Sequence, residues 1–368
     1  MLRLELSPAL FLECLLHLWV SKYGMGFEMA EILRFPQQLL AEVSMKTQNQ
    51  ANQYHPVRAA LIIALLIVCA VPSAFGMGMD FGGGGTSVAE EATCAPEQAP
   101  VIVPGPLGSP LRIEAAGDNR FLVTDYRKQV VFQISSDSPG QPEALFAVAG
   151  KPLSTVKIPG RRGAIYLVGN DDTKTVDEYV ERKGQVRQGK TFFRKTPVQA
   201  LDMAVDMNTG LVYLVDGLAG EVKVINEKGR LVNTFGGFGQ LKAPKGIALD
   251  LANNEVMVSD YGDSSLGISS SIEVFNLGGD HLSTITGSFS RPQGLAAANG
   301  KIYVADAVLG QILEFDRASG SRTFSYGCFG TTEGHLLMPM DVALGANLQD
   351  LFVADNRNGR ISVLPFNP

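Results

Sequence analysis

The strongest constraint on this chain is an internal period. Short apolar runs at 121–125, 165–170, 212–216, 256–260, 302–306 and 351–355 end in Asp125, Asn170, Asp216, Asp260, Asp306 and Asp355, and these ends lie 44 to 49 residues apart. Most are preceded by one more short apolar run and followed by two others. The last two of each set are joined by 226–229, 276–279 or 316–320, which finish in Gly229, Gly279 and Gly320, where a hairpin needs positive φ. Four short strands per repeat make a propeller blade. The Asp-ending runs are almost continuously apolar, so both of their faces must be covered. The expected fold is all-β, a six-bladed β-propeller of four-stranded blades over 98–368.

Counting strands predicts how the ring closes. The sixth repeat offers runs near 340–344, 351–355 and 360–366, and its fourth is missing. The apolar segment 100–104, just ahead of the first repeat, is expected to pair with 360–366 as the outer strand of the last blade, which removes an open edge.

The N-terminal part reads as an address. Arg58 precedes the uncharged apolar run 59–71, and Ala74 and Gly76 place small residues at a cleavage site. Residues 45–76 are therefore a signal peptide or an N-terminal membrane anchor through 59–76, and 77–97 a flexible Gly-rich linker. Residues 1–44 are read as an over-long translation start, because Met45-Lys46 suits the beginning of a signal. The expected location is periplasmic or secreted, with anchoring to the inner membrane as the variant. Cys94 and Cys328 would survive processing; export permits them to pair, and their spacing does not decide it.

Net charge is −6, from 31 Lys and Arg against 37 Asp and Glu, which argues against nucleic acid as partner. The carboxylates ending the second strands read as caps for turn N–H groups. Asp171-Asp172 and the 260–263 segment lack the spaced ligands of a calcium loop. His281 and His335 are the two histidines after 76, too few for a three-ligand zinc site made of His. Neither a Gly-x-Ser-x-Gly elbow nor a haem attachment motif is present.

The segments 243–250 (Ala-Pro-Lys-Gly-Ile-Ala-Leu-Asp), 292–295 (Pro-Gln-Gly-Leu) with 302–306, and 351–361 resemble NHL repeats. Repeats three to six follow that pattern well, and repeat two departs most, with Asn170 where the others have Asp. The resemblance implies a six-bladed propeller, here of the bacterial exported kind, that serves as a binding platform or, less often, as an enzyme. A lactonase-like relative would use Ca2+ and an amidating-lyase-like one Zn2+; no cofactor is predicted otherwise. The leading expectation is a non-catalytic binding or scaffold protein of the cell envelope that recognises a protein or glycan through loops on one face. The alternative is a metal-dependent hydrolase or lyase. Candidate binding residues on that face are Tyr126, Arg127, Lys174, Arg194, Lys195, Phe238, Tyr261, Arg291, Phe329 and Arg357, chosen because aromatic and Arg side chains anchor recognition surfaces. Residues 151–195 hold 11 Lys and Arg against 5 acids. Arg182, Lys183, Arg187 and Lys190 could thus face an anionic partner or form a solvated outer strand pair.

Processing after Gly76 makes one expectation measurable. The intact mass of the protein from an envelope fraction should match a chain starting at Met77, and a mass that includes Met1 would overturn the export reading.

Overall fold

The computed structural model describes residues 101–103, 107–160, 163–193, 196–345 and 348–365. The proposed start, signal, anchor and linker, and the candidates Arg194 and Lys195, lie outside the described residues. Among those described, no helix is long and apolar enough to cross a membrane.

Six four-stranded antiparallel sheets follow one another as blades. Blade 1 is Pro110–Ala115, Arg120–Asp125, Val130–Ser135 and Ser138–Ala147, and blade 2 is Pro152–Gly160, Gly163–Asn170, Thr175–Arg182 and Gln185–Phe193. Blade 3 runs through Ala200–Asp206, Leu211–Asp216, Glu221–Ile225 and Leu231–Phe235; blade 4 through Pro244–Asp250, Glu255–Asp260, Ser271–Asn276 and His281–Thr286. Blade 5 is Pro292–Ala298, Lys301–Asp306, Gln311–Asp316 and Arg322–Tyr326. Blade 6 takes Pro339–Leu344, Asp350–Asp355 and Arg360–Pro365 from the end of the chain and Val101–Val103 as its outer strand. Val101 pairs with Val363 and Val103 with Ile361, the closure expected from the strand count.

The apolar core is divided among the six blade interfaces. Phe121 and Val123 pack with Phe352 and Ala354 of blade 6, while Leu122 between them packs with Tyr166 and Val168 of blade 2. This alternation is why the middle of each second strand is nearly continuously apolar: each side of a blade is an interior surface. The remaining interfaces repeat the arrangement, for example Leu214 with Val156, Val215 with Val258, Met257 with Val304, and Tyr303 with Val353.

The carboxylate ending five of the six second strands is fully buried and acts as a clamp. Asp306 accepts N–H bonds from Ser290 and Arg291 in the blade connection and from Val308 and Leu309 in the turn into its third strand, at 2.7 to 3.2 Å. Asp260 does the same for Lys242, Ala243 and Gly262, Asp125 for Gly108, Ser109 and Lys128, and Asp216 for Gln199 and Leu218. Asn170 in blade 2 performs both jobs with one amide. Its oxygen accepts from Asp172 N (3.1 Å) and Thr173 N (3.4 Å), and its NH2 donates to Ala149 O (2.9 Å) and to Asp177 (3.0 Å). The sequence departure in repeat two is thus a change of hydrogen-bond polarity at a retained joint.

Removing such a clamp leaves several buried N–H groups without an acceptor, each costing about 1–3 kcal/mol. Asp306→Ala should therefore lower the stability read from urea unfolding by at least about 3 kcal/mol. An exposed carboxylate such as Asp137 gives the reference, with little change expected on its removal.

Candidate functional site

The clamps fix where function can sit, because they tie the turns between second and third strands to the blade connections at the same end of the ring. That end carries eight of the ten candidate binding residues, the two others lying outside the described residues. On the blade axis, the pairing of first with second strands shifts just after Pro110, Pro152, Ala200, Pro244, Pro292 and Pro339. The two following residues in each blade form two tiers around the axis.

The lower tier is Arg112, Ser154, Asp202, Gly246, Gly294 and Asp341. A Cβ on Gly246 would lie 2.5 Å from Gln293 O, and one on Gly294 1.7 Å from an Asp341 carboxylate oxygen, so the first strands of blades 4, 5 and 6 meet too closely for a side chain there. Arg112 extends across the axis. Its Nε donates to Leu201 O (3.0 Å), Nη1 to Met340 O (2.6 Å) and Nη2 to Lys245 O (2.7 Å), and its Nε lies 3.4 Å from Asp202. One guanidinium therefore joins blades 1, 3, 4 and 6. Asp202 also accepts from Ile247 N and Asp341 from Ile113 N, which stitches neighbouring first strands together. Burial, with Asp202 and Asp341 nearby, pushes Glu114 well above the ordinary carboxylate range; burial and Asp202 do the same to Asp341 against the opposing pull of Arg112.

The upper tier is Leu111, Leu153, Leu201, Lys245, Gln293 and Met340. Above it stand the first residues of the second-to-third-strand turns and the residues preceding each first strand. Two cations lie over the Tyr261 ring, Lys245 Nζ at 4.8 Å and the Arg291 guanidinium at 5.3 Å from its centre. Burial raises Tyr261 to about 12, outweighing Arg291 and Arg112, so its hydroxyl is neutral at physiological pH. Tyr126 has Lys151 at 5.5 Å from its ring centre and donates to Asp171 (3.1 Å). Asp171 also accepts from Gln199 (3.0 Å) and Lys174. Burial opposes its charge, but these three donors outweigh it and hold the carboxyl below its usual range.

The structure thus brings Tyr126 together with Lys174, and Tyr261 with Arg291. Arg357 is exposed and donates to Met338 Sδ (3.1 Å), and Arg127 is exposed. Phe238 and Phe329 are exposed on blade connections rather than plugging gaps between blades. Arg360 pairs with Asp355 (2.8 Å) and donates to Thr331 O, Thr332 O and His335 O, holding the connection that carries Phe329. Cys328 beside it is disulfide-bonded, with its partner outside the described residues. Arg182, Lys183, Arg187 and Lys190 are exposed on the outer hairpin of blade 2, apart from the axis. Sequence reasoning missed Arg112, Lys151 and Lys245, which lie at or beside the start of first strands. The usable signal was a change of residue type at a fixed repeat position: Arg112 stands where blades 4 and 5 have Gly, and Lys245 where three blades have Leu.

The enzyme alternative needs a ligand set. His281 lies on the outer strand of blade 4, bonded to Glu273 at 2.7 Å, and His335 on the connection between blades 5 and 6, so the two do not share a zinc site. Among the described residues no three His, Cys, Asp or Glu side chains come together to hold a metal. On the axis, the cationic Arg112 occupies the centre and engages Asp202. The opposite face carries a cavity of about 500 Å3 lined largely by small and apolar residues, with Lys157 its one charged group.

No protein-family model matches the chain, and no curated protein matches it in sequence. Among solved structures it is similar to the PQQ-bound aldose sugar dehydrogenase of Streptomyces coelicolor (14% identity, TM-score 0.56, covering 73% of this chain and 97% of that one). It is also similar to a gluconolactonase of Xanthomonas campestris (12%, 0.52, 74% and 99%) and to a streptogramin B lyase (12%, 0.50, 73% and 97%). At these identities the likeness is one of fold: the chain is a six-bladed β-propeller.

Two outcomes follow from the axis. Arg112→Met breaks three carbonyl contacts and leaves Asp202 without its cation, which should lower stability by about 3–5 kcal/mol in urea unfolding. Glu114 and Asp341 keep their protons to higher pH in the folded than in the unfolded chain. Their contribution to stability is therefore full below the unfolded carboxylate pKa and is lost as pH rises toward the raised folded values. Unfolding at about pH 5 and about pH 8 should show Glu114→Gln flattening this fall; an unchanged slope would exclude Glu114 as its source.

Proposed function

We propose that the protein is a non-catalytic binding platform of the cell envelope, exported to the periplasm or beyond, that takes a protein or glycan partner on the loop face. The observation that carries this reading is the content of that face. The exposed apolar side chains Leu218, Phe238, Leu266, Val308 and Phe329 all lie on its loops in blades 3 to 5 and the connections that follow them, and the same face carries exposed Arg127, Arg291 and Arg357. Apolar groups rimmed by Arg and Tyr are the composition of recognition surfaces. Rigid clamps hold the loops, so little ordering is needed on binding. The NHL-like repeats agree with a platform role, while the lactonase and lyase neighbours supply a common fold.

Photo-crosslinking residues placed at Phe238 and Phe329 in cells should yield one discrete adduct shared by both positions. The same residue at Met207, on the opposite face, should yield none. Absence of adducts from the loop face, or purification with about one calcium or zinc per chain, would move the assignment to the metal-dependent hydrolase or lyase.

A further inference from the structure

The propeller contains its own internal comparison at the mouth of the axis. A Tyr at the first position of a second-to-third-strand turn meets a Lys or Arg preceding the next blade twice, as Tyr126 with Lys151 and as Tyr261 with Arg291. At blades 1 and 2 the arrangement is neutralised from within. Lys151 lies 3.8 Å from Asp172, and Lys174 is paired with Asp171. At blades 4 and 5 the positive charge is larger and carries no such answer. Arg291 and Lys245 lie at one ring, Arg112 binds the Lys245 carbonyl, and neither Lys245 nor Arg291 forms an ion pair among the described residues. The nearby carboxylates Asp260 and Asp306 are both spent on backbone N–H groups.

The uncompensated charge borders apolar surface. Leu201 and Met340 offer their carbonyls to the same Arg112 guanidinium, occupy the same tier as Lys245 and are partly exposed. Leu201 also reaches up as Lys245 does: a Cβ on Gly217, which holds in blade 3 the position of Tyr261, would meet Leu201 Cδ1 at 2.6 Å. Lys245 is thus the cationic member of a tier that is elsewhere mainly aliphatic.

We propose that Lys245 and Arg291, both at the Tyr261 ring beside the Arg112 guanidinium, bind a carboxylate carried on an apolar body. Lys245 and Arg291 supply charge-assisted donors, Arg112 adds fixed positive potential from the axis, and the aliphatic tier receives the attached carbon chain. Burial and the charges of Arg112 and Arg291 hold Lys245 below the usual lysine range, against the pull of Asp260. A bound anion relieves that repulsion. The carboxylate belongs to a chain terminus or to a free organic acid, the two sources of this chemistry. The site deepens the platform reading by naming what its centre recognises and rests on that reading for its biological use.

Calorimetric titration of the purified protein with hexanoate, hexanamide, inorganic phosphate and the dipeptide N-acetyl-leucyl-leucine tests this. Hexanoate should bind at one site, hexanamide should not bind, and phosphate should compete poorly. Tighter binding of the dipeptide than of hexanoate assigns the site to a chain terminus, and the reverse order to a free acid. Lys245→Met and Arg291→Gln should each weaken hexanoate at least about tenfold, with unchanged urea unfolding showing that the fold is kept. Lys183→Gln, on the outer hairpin, should leave binding unchanged. The proposal is overturned if no probe binds saturably, if hexanamide binds as well as hexanoate, if phosphate competes as strongly, or if neither variant weakens binding. Crosslinking from Phe238 and Phe329 is read separately, so a failed anion site and a failed platform are told apart.

Discussion

The hydrogen bonds of one buried side chain per blade, a carboxylate in five blades and the Asn170 amide in the other, hold this architecture in place. A propeller blade is a small sheet with two loose ends, the turn into its third strand and the connection that brings the chain to its first. Asp125, Asp216, Asp260 and Asp306 bind both with one side chain, so the two loops cannot move independently. The binding face is a consequence of this joint, since the described candidates on it sit on the turns and connections that the clamps hold. Phe238 and Phe329 stand exposed on connections that are pinned at their far ends.

The axis depends on a second economy of space. Glycines at 246 and 294 let the first strands of blades 4 to 6 approach, and in the room that remains Arg112 reaches carbonyls in three other blades. A guanidinium has enough donors in a fixed plane to do this, and Lys would not. Its presence also sets the electrostatics on both sides. Burial holds the carboxyls of Glu114 and Asp341 above their usual range, against the pull of Arg112 on Asp341, and the cations on the loop face stand beside a charge of their own sign.

The fold was legible because its signals are periodic: six Asp or Asn ends, hairpin glycines, and a strand count one short that pointed to 100–104. Asp as a cap was legible for the same reason, although its reach to the blade connection was not, since that partner lies 15 to 18 residues back. The loop candidates were found because second-to-third-strand turns announce themselves. Arg112 and Lys245 were hidden inside first strands, where a charged residue reads as one side chain in a strand. Only the shift in pairing after each first residue turns these positions toward the axis, and the Pro that opens five of the six first strands does not by itself say where the next side chains are directed. The basic stretch in repeat two showed the opposite case, conspicuous in sequence and placed on an outer hairpin.

Closure of the ring by Val101–Val103 has a kinetic meaning. The last blade draws strands from both ends of the propeller sequence, so its pairing joins residues of the greatest separation in the domain. Contacts of such high order form slowly. With the seam open, blades 1 and 6 would each expose an interior face, including Phe121 and Phe352, which stack at 4.4 Å in the closed ring. A ring open at this seam would therefore be the form of the molecule most prone to stick to its neighbours, and the pairing of one three-residue strand is what shields it.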